Sequence, residues 1–275
     1  MRSARRMKEP VNTGMVPESG DPRLVFFTDA LRLLEAADVP FLVGGAFAHS
    51  RYTGRERDTK DLDVIFRRED VRRALDALAD AGYDVELPFP HWLAKVHRNH
   101  QYIDVVFSSG NGVVQVDDRW FSHSVEGEVM GMLVALCPPE ELLWSSSFVQ
   151  ERERYDGAAV LHLLHAQAPI LDWPHLLDRF GEHWPVLLSH LILFQFAYPD
   201  RRGDIPNEVM TELTERLGRL RPEPDNHLCL GTLLSRQQFL FDVEQLGYID
   251  ARLQPYGTMT PEQTEIWTRA IETRR

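Results

Sequence analysis

The chain has 275 residues and a formal net charge of −12, from 42 acidic side chains against 30 lysines and arginines, which disfavours a broad nucleic-acid surface and suits neutral or cationic partners. Its 43% hydrophobic and 26% charged content excludes a disordered chain and leaves ample core for one large domain or two ordinary ones. The longest apolar runs, Val129–Cys137 and Val186–Tyr198, are shorter than the roughly 18–20 residues of a membrane span, and Cys137 and Cys229 read as two buried thiols of a cytoplasmic protein rather than a disulfide.

Residues 1–22 carry Arg2, Arg5, Arg6 and Lys8 together with Pro10, Pro17 and Pro22 but no apolar core, so they read as a mobile tail and not a secretory signal. Leu24–Ala37 repeats apolar residues at helical spacing, and Val39-Pro40 ends that helix. Phe41–Val43 is a short buried strand, Gly44-Gly45 a sharp turn, and Ala46–Tyr52 a helix closed by Gly54. A second strand follows at Leu62–Phe66, then an amphipathic helix from Glu69 to Ala81 that stops at Gly82. After Asp84–Leu87 and the irregular Pro88-Phe-Pro90, Trp92–His97 and Tyr102–Phe107 form a hairpin. Its loop is either Asn99-His100 or Arg98–Gln101, and both choices set Lys95 opposite Asp104.

Gly110-Asn-Gly112 marks a further turn, and Glu126–Cys137 reads as one strand. From Pro138 onward the pattern is helical: a long helix over Glu140–Ala166, then Trp173–Phe180, Trp184–Phe196, Pro206–Leu217, Leu230–Leu246 and Pro261–Glu272, with no strand of comparable quality. The expected organisation is therefore a tail (1–22), an α+β domain with a mixed sheet (23–137) and an all-α helical domain (138–275).

The chemistry centres on Asp61-Leu-Asp63. Side chains alternate along a strand, so both carboxylates leave one face, where they repel each other unless a cation joins them. Asp104 is a third acid inside a strand, and Gly44-Gly45 opens a helix whose N-terminal amides suit phosphate oxygens. Carboxylates beside such a turn suit Mg²⁺-assisted phosphoryl chemistry. The clustered His91, His97 and His100 fit no zinc spacing, and the helical pair His162 and His165 would need further ligands to hold a metal.

On these residues, the stretch from Phe41 to Phe107 resembles the nucleotidyltransferase superfamily that shares the polymerase-β-like palm, with coverage of about residues 24–137. The resemblance implies that Gly44 and Gly45 contact nucleotide phosphates, that Asp61 and Asp63 ligate Mg²⁺ or Mn²⁺, and that Asp104 completes the metal site and assists deprotonation of the acceptor hydroxyl. Where many members carry Ser after the first Gly, this chain has Gly45 and then Ala46, without a hydroxyl for phosphate. Lys60 and Lys95 fall inside the same region. Both are assigned with the glycines to the NTP, although Lys60 points away from Asp61 and Lys95 serves equally well as an ion-pair partner of Asp104. Arg57 and Thr59 lie on the loop entering the acidic strand.

The second half resembles the helical companions of AbiEii-like toxins of type IV toxin–antitoxin systems and of aminoglycoside and lincosamide nucleotidyltransferases. By that resemblance Arg152 or Arg154, expected on the first long helix, faces the triphosphate, while Ser145–Ser147 stand where the toxins commonly carry a lysine. The implied reaction moves an NMP from an NTP to a small molecule, a tRNA 3′ end or a protein, with release of pyrophosphate, in a cleft between the two domains. An antitoxin partner and a catalytically degenerate nucleotide-binding regulator are the further readings.

Overall fold

The structure is a computed structural model that describes residues 21–56 and 59–270. Nearly all of the expected tail, and Arg57 of the loop before Asp61, lie outside the described residues. The described residues divide into two compact units, those up to 110 with 115–138 and residues 111–114 with those from 139 onward.

In the first unit, α1 (Pro22–Ala36) starts where Asp21 accepts the Arg23 amide at 2.9 Å and Pro22 presets the first turn. It buries Phe26, Phe27, Ala30, Leu31 and Leu34. β1 (Leu42–Val43), α2 (Gly45–Thr53), β2 (Asp61–Ile65) and α3 (Arg68–Asp80) follow, then β3 (Asp84–Phe89), β4 (Leu93–Arg98), β5 (Gln101–Val106), α4 (Asp118–Ser122), β6 (Val125–Val129) and β7 (Met132–Leu136). The strands form one seven-stranded sheet in the order β3-β4-β5-β2-β1-β7-β6. The sheet is mixed: β2 runs parallel to β5 and β1 to β7, while the other neighbours are antiparallel. Leu62, Val64, Ala94, Val96, Ile103 and Val105 are fully buried on one face, while Asp61, Asp63, Lys95, Tyr102 and Asp104 emerge half-buried on the other.

The β4–β5 hairpin has the expected register, with Lys95 opposite Asp104. Its loop is the two-residue form: Asn99 and His100 both take positive φ, 52° and 66°, as the tight turn of a right-twisted hairpin requires. A second hairpin replaces the single strand expected over Glu126–Cys137. Met130 and Gly131, with φ of 52° and 77°, turn β6 back onto β7. The apolar sequence runs through this turn without interruption, and only Gly131 marks it.

The second unit is mainly helical, as expected. It contains α5 (Pro139–Ser147), α6 (Gly157–Gln167), α7 (Trp173–Phe180), α8 (Trp184–Ala197), α9 (Asn207–Arg219), β8 (Leu228–Cys229), α10 (Leu240–Glu244), β9 (Ile249–Asp250) and α11 (Pro261–Arg269). Its core gathers Leu143, Leu163, Leu164, Leu176, Phe180, Leu187, Leu191 and Phe194. At its centre the buried Glu141 carboxylate accepts from His175 at 2.8 Å and Arg179 at 2.9 Å, so no bare charge is enclosed.

Three helical expectations change. The long helix over Glu140–Ala166 is broken into α5 and α6 by an irregular segment at 148–156. There Gln150 and Tyr155 bridge in antiparallel fashion, and Glu151 is drawn away to accept from Ser235 at 2.8 Å and Arg236 at 3.0 Å. The helix expected over Leu230–Leu246 reduces to a 3₁₀ turn at Leu230–Leu233 and the short α10. Finally, β8 and β9 pair in parallel where no strand was expected, each only two residues long. Among the described residues no helix is long and apolar enough to cross a membrane.

Candidate active site

The site grows from β1. Its last residue is followed by Gly44, whose backbone N–H donates to the Asp63 carbonyl at 2.9 Å and so holds the turn against β2. Gly44 has extended backbone geometry, whereas Gly45 has φ +52° and starts α2. A Cβ on Gly45 would lie 1.7 Å from Asp63 Oδ2, so the space left by the missing side chain is where the carboxylate sits. Glycine is therefore required at 45 on two counts, backbone conformation and room. The nine residues of α2 begin there, and the first-turn amides of a helix carry partial positive charge toward the same region.

β2 then presents Asp61 and Asp63 from the half-open face, with Leu62 and Val64 turned into the core. Thr59 fixes the first acid: its Oγ1 donates to Asp61 Oδ1 at 2.7 Å and meets the Asp61 carbonyl at 3.1 Å. The parallel β2–β5 register sets Asp61 beside Tyr102 and Asp63 beside Asp104. Adjacent strands lie about 4.8 Å apart, so Asp63 and Asp104 are a like-charge pair that needs a cation nearby.

Lys95 supplies one. It stands opposite Asp104 on β4, its Nζ lies 2.5 Å from Asp104 Oδ1, and it sits over the Tyr102 ring, 4.5 Å from the centroid. Both partners are largely covered, with side-chain exposures of 20% for Lys95 and 15% for Asp104, so solvent screens the pair less than a surface bridge. The polar row continues outward to Glu86 on β3, opposite Lys95, whose Oε1 lies 3.3 Å from His97 Nε2.

The sequence-expected residues are thus distributed unevenly. Gly44, Gly45, Asp61, Asp63, Lys95 and Asp104 come together on one sheet face and its adjoining turn. Lys60 is exposed just before β2, and strand alternation sends it away from Asp61. Arg154 belongs to the second unit and lies in the irregular segment 148–156, not on a helix. It is 70% exposed and bonded to Asp156 at 2.9 Å. Tyr102 is not part of the acidic motif, yet its place two residues before Asp104 put it on the same face. Thr59, on the entering loop, turns out to hold Asp61.

Among the described residues no group of three or more His, Cys, Asp and Glu side chains is gathered so that it could hold a metal ion. The three acids share a face, and Asp104 is engaged from β4 by Lys95. The donor chemistry of Asp61 and Asp63, two half-buried carboxylates at the mouth of a helix N-terminus, fits a hard divalent cation.

Residues 27–137 match the family model described as Aminoglycoside-2''-adenylyltransferase, a span that holds the whole of this site and under half of the chain. Several solved structures resemble the chain at low identity. The lincosamide antibiotic adenylyltransferase LnuA bound to lincomycin is 18% identical, with 52% of this chain and 96% of that chain covered and a TM-score of 0.38. ANT(2'')-Ia in complex with adenylyl-2''-tobramycin is 13% identical over 72% of this chain and 99% of that one, at 0.37. An antigenic nucleotidyltransferase-like protein from Paracoccidioides brasiliensis is 14% identical over 66% and 91%, at 0.43. No curated protein matches the sequence significantly.

Proposed function

We propose that this protein is a nucleotidyltransferase that moves an NMP, adenylyl in the first instance, from an NTP to a hydroxyl of a cationic small molecule of aminoglycoside type, releasing pyrophosphate. The observation that carries the reading is the alignment of Gly45, Asp63 and Asp104: a helix-opening glycine moulded around one carboxylate, with a second carboxylate in register on the neighbouring strand. The family match over residues 27–137, the span that contains this arrangement, supports adenylyl transfer, and the net charge of −12 favours a cationic acceptor.

In this reading the first-turn amides of α2 receive the triphosphate, and the Gly44-Gly45 backbone allows its close approach. Asp61, steadied by Thr59, and Asp63 would hold Mg²⁺ or Mn²⁺, which when bound neutralises developing charge on the phosphate oxygens. Asp104 takes the proton of the acceptor hydroxyl as that oxygen bonds to the α-phosphorus, and the bond from phosphorus to the bridging oxygen breaks. Lys95, paired with Asp104 across the β4–β5 hairpin, supplies a cationic side chain at this end of the site.

The test is incubation with Mg²⁺ and each of four α-labelled NTPs, with aminoglycosides, lincosamides, total tRNA and a protein lysate offered separately. Label should pass to a small-molecule acceptor and be lost in Asp63→Asn. Transfer to tRNA or protein alone would replace the small-molecule acceptor with the toxin-type or protein-modifying reading. NTP binding without transfer to any acceptor would instead favour a regulator.

A further inference from the structure

Lys95 does more in this structure than line a site. The row Glu86–Lys95–Asp104–Asp63 crosses four adjacent strands on one face, alternating acid and base until the last two members, which are both acids. At that break Lys95 bonds to Asp104 Oδ1 at 2.5 Å, backed by the Tyr102 ring. The Asp63–Asp104 repulsion is thereby offset by a cation that belongs to the chain.

We propose that Lys95 is a built-in counter-ion of Asp104 that competes with a divalent cation for that carboxylate, so that metal binding must displace the ammonium. The inference rests on the nucleotidyltransferase reading of the site and deepens it: Asp61 and Asp63 bind the metal first, and Asp104 joins only when Lys95 lets go. The ammonium cannot ligate a cation, and it repels one at short range. Its displacement from a covered pair opposes binding, and release frees the amine for the triphosphate.

Two measurements test this. The first is Mn²⁺ binding, by titration calorimetry and proton relaxation, to the parent, Lys95→Met, Lys95→Gln and Lys95→Arg. The neutral variants should bind on the order of tenfold more tightly, the effect of roughly 1.4 kcal/mol of relieved competition, and Lys95→Arg should stay close to the parent. The second uses only the parent. Lysine occurs at Lys8, Lys60 and Lys95 alone, so amine acylation read by mass spectrometry reports each separately. Mn²⁺ should raise labelling of Lys95 relative to Lys8.

Unchanged Lys95 labelling at saturating Mn²⁺ overturns the competition, as does parent-like affinity in a folded neutral variant. If those variants keep parent-like Mn²⁺ affinity but lose NTP binding, Lys95 is a phosphate ligand only, and the proposed activity stands. A parent that binds no Mn²⁺, with or without NTP, removes the metal from the proposed function and this inference with it.

Discussion

Asp63 and Gly45 share one volume: the carboxylate Oδ2 lies where a side chain at position 45 would begin, 1.7 Å from the Cβ it would carry. The consequence is a sharp difference between two neighbouring glycines. Gly45→Ala forces a positive φ on a residue with a side chain and also displaces the Asp63 carboxylate. It should cost about 1–3 kcal/mol of stability and reduce transfer on the order of a hundredfold. Gly44→Ala meets the movable Ile65 Cδ1, 2.5 Å away, with no backbone penalty, and should retain far more activity. Chemical denaturation and kcat/KM of the two variants check the contrast.

Thr59→Val removes the hydroxyl that donates to Asp61 Oδ1 at 2.7 Å while keeping the shape of the side chain. The expected loss is about 1 kcal/mol of stability, with several-fold weaker Mn²⁺ binding as Asp61 loses its orientation. Metal affinity and unfolding midpoint, measured on the same preparation, separate the two effects.

In the second unit, Glu141→Ala leaves Arg179 and His175 buried without their shared carboxylate. Breaking such a pair from one side costs about 3–5 kcal/mol, so this variant should unfold at markedly lower denaturant. Arg154→Ala, at a site 70% exposed, should leave the midpoint nearly unchanged. Equal midpoints for the two would contradict the assignment of Glu141 as the internal anchor.

Burial holds the imidazoles of His91, His183 and His190 below the ordinary histidine value, against opposing contributions from the Gly110 carbonyl, Glu182 and the Ser147 carbonyl respectively. Because the folded values are depressed, the unfolded chain takes up protons first as pH falls. The stability from neutral burial is thus complete above about 6.5 and is lost through the window below it. Each histidine contributes a slope of at most about 1.4 kcal/mol per pH unit. Urea midpoints should hold from pH 8 to 7 and fall between 6.5 and 5. A flat profile to pH 5 would contradict this.

Much of the site was legible because its residues lie on short-range patterns. The alternation Asp61-Leu62-Asp63 specified the face, and the two-residue loop Asn99-His100 fixed Lys95 opposite Asp104. The Asp63–Asp104 pairing depends instead on β2 and β5 being neighbours across an intervening helix and hairpin, which no local pattern states. The same limit explains the broken helix at 148–156. Glu151 has good helical character by itself, and its capture by Ser235 and Arg236, more than eighty positions later, is a tertiary event. The β6–β7 turn was hidden for the opposite reason, since Met130 looks like one more strand residue.

The proposed activity requires that Asp63 and Asp104 together make a phosphoryl-transfer site. Continuous measurement of pyrophosphate release with ATP, Mg²⁺ and an aminoglycoside, on the parent, Asp63→Asn and Asp104→Asn, tests it most directly. Release should depend on the acceptor in the parent and fall at least about a hundredfold in each variant while both remain folded. Release by the folded variants at the parent's rate would contradict it.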